Sequence, residues 1–192
     1  APMLVEPGKT ALLVVDVLEA TVEGREADPA LDAFASACTE VVGACRACGI
    51  PVIFLDDAHV PGLDRELELW GEHGIAGSAG ARPAACLGPC DRDLVIEKRR
   101  YSGFFQTDLD LTLRELGCDR VVAIGFDSNI CVLHTLADAY FLGYDSLVVA
   151  DACRSTLVGS EAGALEYFRR CYGSDVVSLD EFRERLAGDI PA

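Results

Sequence analysis

A chain of 192 residues is long enough to fill one domain core and short for two. Its composition, 51% hydrophobic and 25% charged, excludes a disordered or low-complexity chain. Against 32 Asp+Glu stand 16 Lys+Arg, a formal charge of −16 whose field repels phosphate backbones and anionic lipid, so neither nucleic acid nor a membrane is an expected partner. No apolar run approaches the ~20 residues a bilayer requires, and Ala1-Pro2-Met3-Leu4 lacks the charged-then-apolar pattern of a signal peptide. The expectation is a soluble, cytoplasmic, single domain spanning residues 1–192.

Thr10–Val17 (TALLVVDV) is an almost unbroken aliphatic run, the mark of a strand buried on both faces. Asp28-Pro29 then supplies an N-cap acid and a proline at the first helical position, and Gly49 with Pro51 stops that helix. Along it Leu31, Phe34, Cys38, Val41, Cys45 and Cys48 recur at the spacing of one helical face. Val52–Asp56 and Leu94–Lys98 read as the second and third strands. Thr107 opens a helix with a capping-box spacing to Asp110 and Gly117 closes it. Arg120–Gly125 is the fourth strand, a helix follows from about Asn129 to Leu142, and Ser146–Ala150 is the fifth strand. Ser160–Cys171 is helical, Val176–Ser178 a short sixth strand and Asp180–Ala187 a last helix. Asp57–Arg92, with two of the three histidines, is left as a long irregular stretch.

Strands alternating with helices imply parallel pairing through right-handed crossovers. The predicted architecture is therefore a three-layer α/β/α domain with a six-stranded, mainly parallel sheet of Rossmann-like type. Ligands in such folds bind beyond the carboxyl ends of the strands, where the strand order reverses. The residues at those ends are Asp16, Asp56-Asp57, Lys98, the run Gly125 to Cys131, and Asp151. Asp151 reads as a structural cap.

Nine cysteines, an odd number without the spacing of a disulfide scaffold, read mostly as small buried hydrophobes. Cys38, Cys45, Cys48, Cys118, Cys153 and Cys171 fall in that class; Cys86 and Cys90, with three residues between them, could pair or bind metal, though a C-x3-C without a second pair is a weak signal. Cys131 differs by position. The first turn of a helix offers unpaired N–H groups that favour a thiolate, and Lys98 nearby would lower the thiol pKa further. Asp16, Lys98 and Cys131 thus supply a base, an electrostatic support and a nucleophile for acyl transfer. Taken singly, each also reads as a loop cap, a snorkelling amine or a core thiol.

VVDV with Asp16, IEKRRYSGF with Lys98 and GFDSNICVLHT with Cys131, in this order and spacing, resemble the isochorismatase-like cysteine hydrolases, a superfamily that includes nicotinamidases, N-carbamoylsarcosine and ureidoacrylate amidohydrolases and isochorismatases. The resemblance runs from about Thr10 to Ser178. It implies an Asp16–Lys98–Cys131 triad that hydrolyses a carbon–nitrogen bond through a thioester. It implies a cis peptide at Phe126–Asp127 and an oxyanion hole from the N–H groups of Asp127 and Cys131. Asp57-Ala58-His59, Pro61-Gly62-Leu63-Asp64 and Trp70-Gly71-Glu72-His73 resemble the metal-binding stretch of nicotinamidases. The likeness implies one divalent ion (Zn, Fe or Mn) on Asp57, His59, His73 and Asp64, and no organic cofactor.

Trp70 matches an aromatic that stacks on a pyridine ring in nicotinamidases. Its usual opposing aromatic is missing, since Leu18 and Thr21 occupy those positions; Tyr101 and Phe105 are candidate replacement walls, or contacts to a second subunit of a homo-oligomer. His134 reads as a satisfied buried histidine, and Arg99 and Arg100 as solvated. The expected activity is a nicotinamidase-like amidohydrolase acting on a small carboxamide. The alternatives are a metal-independent N-carbamoyl or ureido amidohydrolase and a non-catalytic binding module of the same fold.

Overall fold

The computed structural model describes residues 2–23 and 28–186. Strands β1 (Thr10–Val15), β2 (Val52–Asp57), β3 (Leu94–Lys98), β4 (Arg120–Phe126), β5 (Asp145–Arg154) and β6 (Asp175–Val177) form one sheet in the order β3-β2-β1-β4-β5-β6, every pairing parallel. The helices are α1 (Glu19–Val22), α2 (Pro29–Ala47), α3 (Glu66–Trp70), α4 (Leu109–Glu115), α5 (Leu133–Phe141), α6 (Glu161–Tyr172) and α7 (Leu179–Arg185). The three-layer α/β/α expectation holds. Among the described residues no helix is long and apolar enough to cross a membrane.

The layers follow from the two-residue period of the strands. Leu12 and Val14 of β1 point to one face, where Phe34, Cys38, Val41 and Cys45 of α2 and Phe182 of α7 cover them. Ala11, Leu13 and Val15 point to the other, under Leu109 and Leu113 of α4, Leu136 of α5 and Phe168 of α6. Both faces are dry, which is why β1 and β4 read as continuous apolar runs.

Element ends differ from expectation where side chains outbid the local pattern. β1 stops at Val15 because Asp16 turns to a left-handed φ of 50°. β2 gains Asp57 by pairing with Lys98, and β5 runs on to Arg154 after its register against β4 shifts between Ala123 and Gly125. Thr107 does not form the expected capping box. Its hydroxyl donates to the Gly103 carbonyl at 2.5 Å and accepts from Leu109 N–H, and the helix begins after Asp108. The box forms instead at Ser178 and Glu181, opening α7. Ala187, the expected end of that helix, lies outside the described residues. Asp151 does cap, accepting the Leu179 N–H at 2.7 Å.

The cysteines divide by exposure. Cys38, Cys45, Cys118 and Cys153 are buried, but Cys48 is half-buried at the end of α2, and Cys171 is exposed on the solvent side of α6. Cys86 and Cys90 are exposed free thiols.

Candidate active site

The strand order reverses at β1, whose neighbours β2 and β4 lead away on opposite sides. Gly125 lets the two central strands approach closely there. Its φ is 127°, and a Cβ on it would lie 2.1 Å from the Val15 carbonyl oxygen, so only glycine fits. Beyond this point β4 runs through a cis Phe126–Asp127 peptide into a single π-helical turn, Ser128–Val132, that precedes α5. The Asp127 carbonyl accepts from both Ile130 and Val132. Such wide turns are rare, and this one carries the thiol of Cys131.

Asp16, Lys98 and Cys131, far apart in sequence, meet at this rim. Lys98 Nζ lies 3.6 Å from Cys131 Sγ, 2.8 Å from Asp16 Oδ2 and 2.5 Å from Asp57 Oδ1. The backbone fixes the set. Asp57 and Lys98 are register partners on neighbouring strands and so face the same side, and Asp57 N–H donates to Asp16 Oδ1 at 2.9 Å.

Burial governs the electrostatics. Desolvation, helped by the Asp57 charge, pushes Asp16 up to about 6 against the pull of Lys98. Desolvation opposes the charge on Lys98, yet Asp16, Cys131 and Asp57 together hold its pKa well above the usual amine range. Cys131 is raised well above an ordinary thiol by burial; Lys98 pulls it down, but Asp16 and Asp57 push it up again. Burial thus opposes the thiolate that Lys98 and the position at the start of a helix favour. Asp57 is lowered to about 2, since Lys98 and His59 outweigh its desolvation.

The triad opens into a cavity of about 410 Å³. Trp70, Tyr101, Leu18 and Thr21 all line it, and Trp70 Nε1 donates to Tyr101 Oη at 3.0 Å. Phe105 does not reach it. That side chain is 52% exposed and turned to solvent, while its neighbour Phe104 packs against Tyr144. His134 is exposed rather than buried, its Nδ1 2.6 Å from the Ile130 carbonyl and its ring beside Tyr101.

On the far side of Asp57 the structure gathers Asp57, His59 and His73, with potential ligand atoms all within 4.8 Å of one another. Asp64 is not among them. Arg99 grips both its oxygens and Val60 N–H takes one, so its negative charge is spent on that fork and it approaches the back of His59 only to 3.6 Å. Arg99 is correspondingly an ion-pair partner and not merely solvated. Glu66, which the sequence analysis missed, lies outside that set too but faces the other ring nitrogen of His59. Glu66 Oε2 lies 3.5 Å from His59 Nε2, and Glu66 shares the cavity wall with Trp70, four residues on along α3. That i,i+4 spacing was the available signal, hidden because so short a helix was left as irregular chain. Gly74 closes the cluster; a Cβ there would come within 2.6 Å of Asp57 Cβ.

These residues fit a divalent cation. Both ring nitrogens of the fully buried His59 and Oε1 of Glu66 lack hydrogen-bond partners, an arrangement that ordinarily costs about 1–3 kcal/mol per group. Bonds of ~2.0–2.2 Å to one ion set neighbouring donors roughly 3–4 Å apart. The observed spacings of 3.6 Å (His59–Asp57), 3.5 Å (His59–Glu66) and 3.9 Å (His73–Asp57) match. Two imidazoles with two carboxylates suit Zn, Mn or Fe.

Fold and site together put the chain among doubly wound α/β enzymes whose chemistry sits at the carboxyl rim of a parallel sheet. The chain belongs to the isochorismatase family: the isochorismatase domain model matches residues 10–181. It is 33% identical over 182 residues to the ureidoacrylate amidohydrolase RutB of Pseudomonas syringae, covering 79% of this chain and 73% of that protein. Among solved structures it resembles N-carbamoylsarcosine amidase from Thermoplasma acidophilum (38% identity, TM-score 0.82, 90% of this chain and 97% of that one). It also resembles nicotinamidase PncA from Bacillus subtilis (28% identity, TM-score 0.80, 88% and 99%).

Proposed function

We propose that this chain is a cysteine amidohydrolase that releases ammonia from a small carboxamide, with Cys131 as nucleophile, Asp16 as acid–base and Lys98 as electrostatic support. The carrying observation is the Cys131–Lys98–Asp16 chain of contacts at 3.6 and 2.8 Å, opening into a cavity. Cys131 Sγ attacks the amide carbonyl as Asp16 takes the thiol proton. The N–H groups of Asp127 and Cys131 receive the developing oxyanion. Asp16 returns the proton to the departing nitrogen, and ammonia leaves. Water then attacks the thioester, Asp16 accepting its proton and giving it back to sulfur as the carboxylic acid is released. Lys98 stays protonated throughout and offsets the negative charge that moves between sulfur and Asp16.

Asp57, His59, His73 and Glu66 would hold one divalent ion, which when bound supplies a Lewis-acidic position at the cavity wall for a polar atom of substrate or water. The orphaned His59 and Glu66 atoms support it. A second reading, an N-carbamoyl or ureido amidohydrolase with the same triad, is favoured by the likeness to RutB and to N-carbamoylsarcosine amidase. A homo-oligomer is supported by the exposed aromatic side chains Tyr140 and Phe141 at the end of α5 and Tyr167 in the middle of α6. Ammonia release measured across carboxamides and ureides, with Cys131→Ala as control, tests the proposal. Turnover that survives Cys131→Ala would overturn the covalent route.

A further inference from the structure

We infer that Leu157 determines specificity, as the apolar wall against which the substituent of the substrate amide or ureide packs, and that the Asp127 carboxylate is the positioning group that holds it there. The inference rests on the amidohydrolase reading and deepens it. Strand register brings the two segments together. After the register shift Phe126 of β4 pairs with Arg154 of β5, so Asp127 and Ser155 leave the sheet side by side. The Asp127 side chain, 2% exposed, then divides its oxygens between two elements. Oδ1 accepts the Asn129 N–H at 2.9 Å, at the start of the turn that carries Cys131. Oδ2 accepts the Thr156 and Leu157 N–H groups at 2.8 and 3.0 Å. Hydrogen bonds to an ionised acceptor are roughly twice as strong as neutral ones, so one carboxylate ties the loop firmly to the nucleophile turn.

The far end of the loop is anchored to the same turn. Asn129 Nδ2 donates to Ser155 Oγ at 2.5 Å and to the Ser160 carbonyl at 3.2 Å. Gly159, with a φ of 69°, passes so close that a Cβ on it would lie 3.1 Å from the Asn129 side chain. Between these anchors Leu157 lines the same cavity as Cys131, its side chain 55% exposed. Its backbone is pinned, so the side chain does not fold away into the core and leaves water only when a ligand covers it. Phe126 and Ile130, the latter next to Cys131 in the turn, add apolar surface to the same lining. A substituent on the reacting carbonyl therefore meets a wall whose position is set by the element that sets the sulfur.

The test compares substrates that differ in the size of that substituent. kcat and KM for ammonia release are measured with acetamide and benzamide, and with N-carbamoylglycine and N-carbamoylphenylalanine. Leu157→Ala should cut the large-to-small ratio of kcat/KM by about 5- to 20-fold, through KM, while Leu157→Ile keeps most of it. Asp127→Asn, which retains an acceptor for only one of the two elements, should lower the ratio in part, and Asp127→Ala further. Alkylation of Cys131 by iodoacetanilide relative to iodoacetamide, normalised to glutathione and followed by mass spectrometry, should fall in the same order; this readout needs no turnover. A ratio unchanged or raised in Leu157→Ala, with release still dependent on Cys131, would overturn the inference and leave the hydrolase standing. Asp127 variants that slow both members of a pair equally would overturn the positioning role; should Asp127→Ala fail to fold, Asp127→Asn decides it. Absence of ammonia release from every amide and ureide would defeat the hydrolase reading, and the alkylation ratio would then decide what Leu157 does.

Discussion

Asp16 sits where three demands meet: a left-handed backbone, a carboxylate aimed at Lys98, and an acceptor for the Asp57 N–H. With Asp16 as the proposed acid–base, its elevated pKa of about 6 would set the acid limit of activity. Below that value the carboxylate is protonated and cannot accept the thiol proton, so kcat/KM should fall as pH drops through about 6. The limb belongs to the coupled Asp16–Lys98–Cys131 set, and a divalent ion beside Asp57 should move it downward by favouring the charged carboxylate. Asp16→Asn should lower kcat by about 10²- to 10⁴-fold, the usual contribution of a general acid–base group, with the pH limb erased. Lys98 tests a different quantity. It is 1% exposed between two carboxylates, and Lys98→Met leaves both without their cation, a loss of about 3–5 kcal/mol measured by denaturant unfolding. An unchanged midpoint would mean that water reaches Asp16 and Asp57 freely.

At the scale of elements, the nucleophile turn is held from outside by the loop after β5. Asp127 accepts from Thr156 and Leu157, Asn129 Nδ2 donates to Ser155 Oγ at 2.5 Å, and Ser128 Oγ donates to Glu161 at the start of α6. Thr156 and Leu157 are themselves cavity wall, so this side-chain web couples the nucleophile's position to the shape of the substrate space. Ser178→Ala, at the capping box of α7, provides a contrast. It should cost about 1 kcal/mol of stability, read as a lowered Tm, with kcat and KM unchanged because α7 covers the opposite face of the sheet. Helix α3 shows how far element-level patterns reached. Five residues are too few for a helical period to declare itself, so Glu66 went unread as a partner for His59 although its neighbour Trp70 was singled out.

For the whole molecule, a bound ion would tie together the end of β2 with His59 just beyond it, α3, and the loop after α3 that carries His73. A ligand that binds only the folded state stabilises it by about 2.7 kcal/mol at one hundred times its Kd. Adding Mn, Zn or Fe(II) to chelator-treated protein should therefore raise Tm, and His59→Ala should abolish the rise. A Tm indifferent to all three metals would remove the ion from the proposal. The charge of −16 works in the same direction, concentrating cations near a surface rich in carboxylates.

Sequence alone determined the layered fold, because aliphatic runs such as Thr10–Val15 and capped amphipathic helices such as α2 are local patterns with a fixed period. It also determined the rim on which Asp16, Lys98 and Cys131 fall, since parallel topology places every strand's end on one edge. Only the tertiary structure decided what those groups do to one another. Burial and the neighbouring charges act on the thiol, and those charges include Asp57, which the sequence placed in a metal-binding stretch and strand register brings beside Lys98. The placing of Asp64 and Glu66 on opposite sides of His59 is of the same kind. Arg99 reaches across to claim one carboxylate and leaves the other facing His59, a competition between residues distant in sequence that no spacing rule encodes.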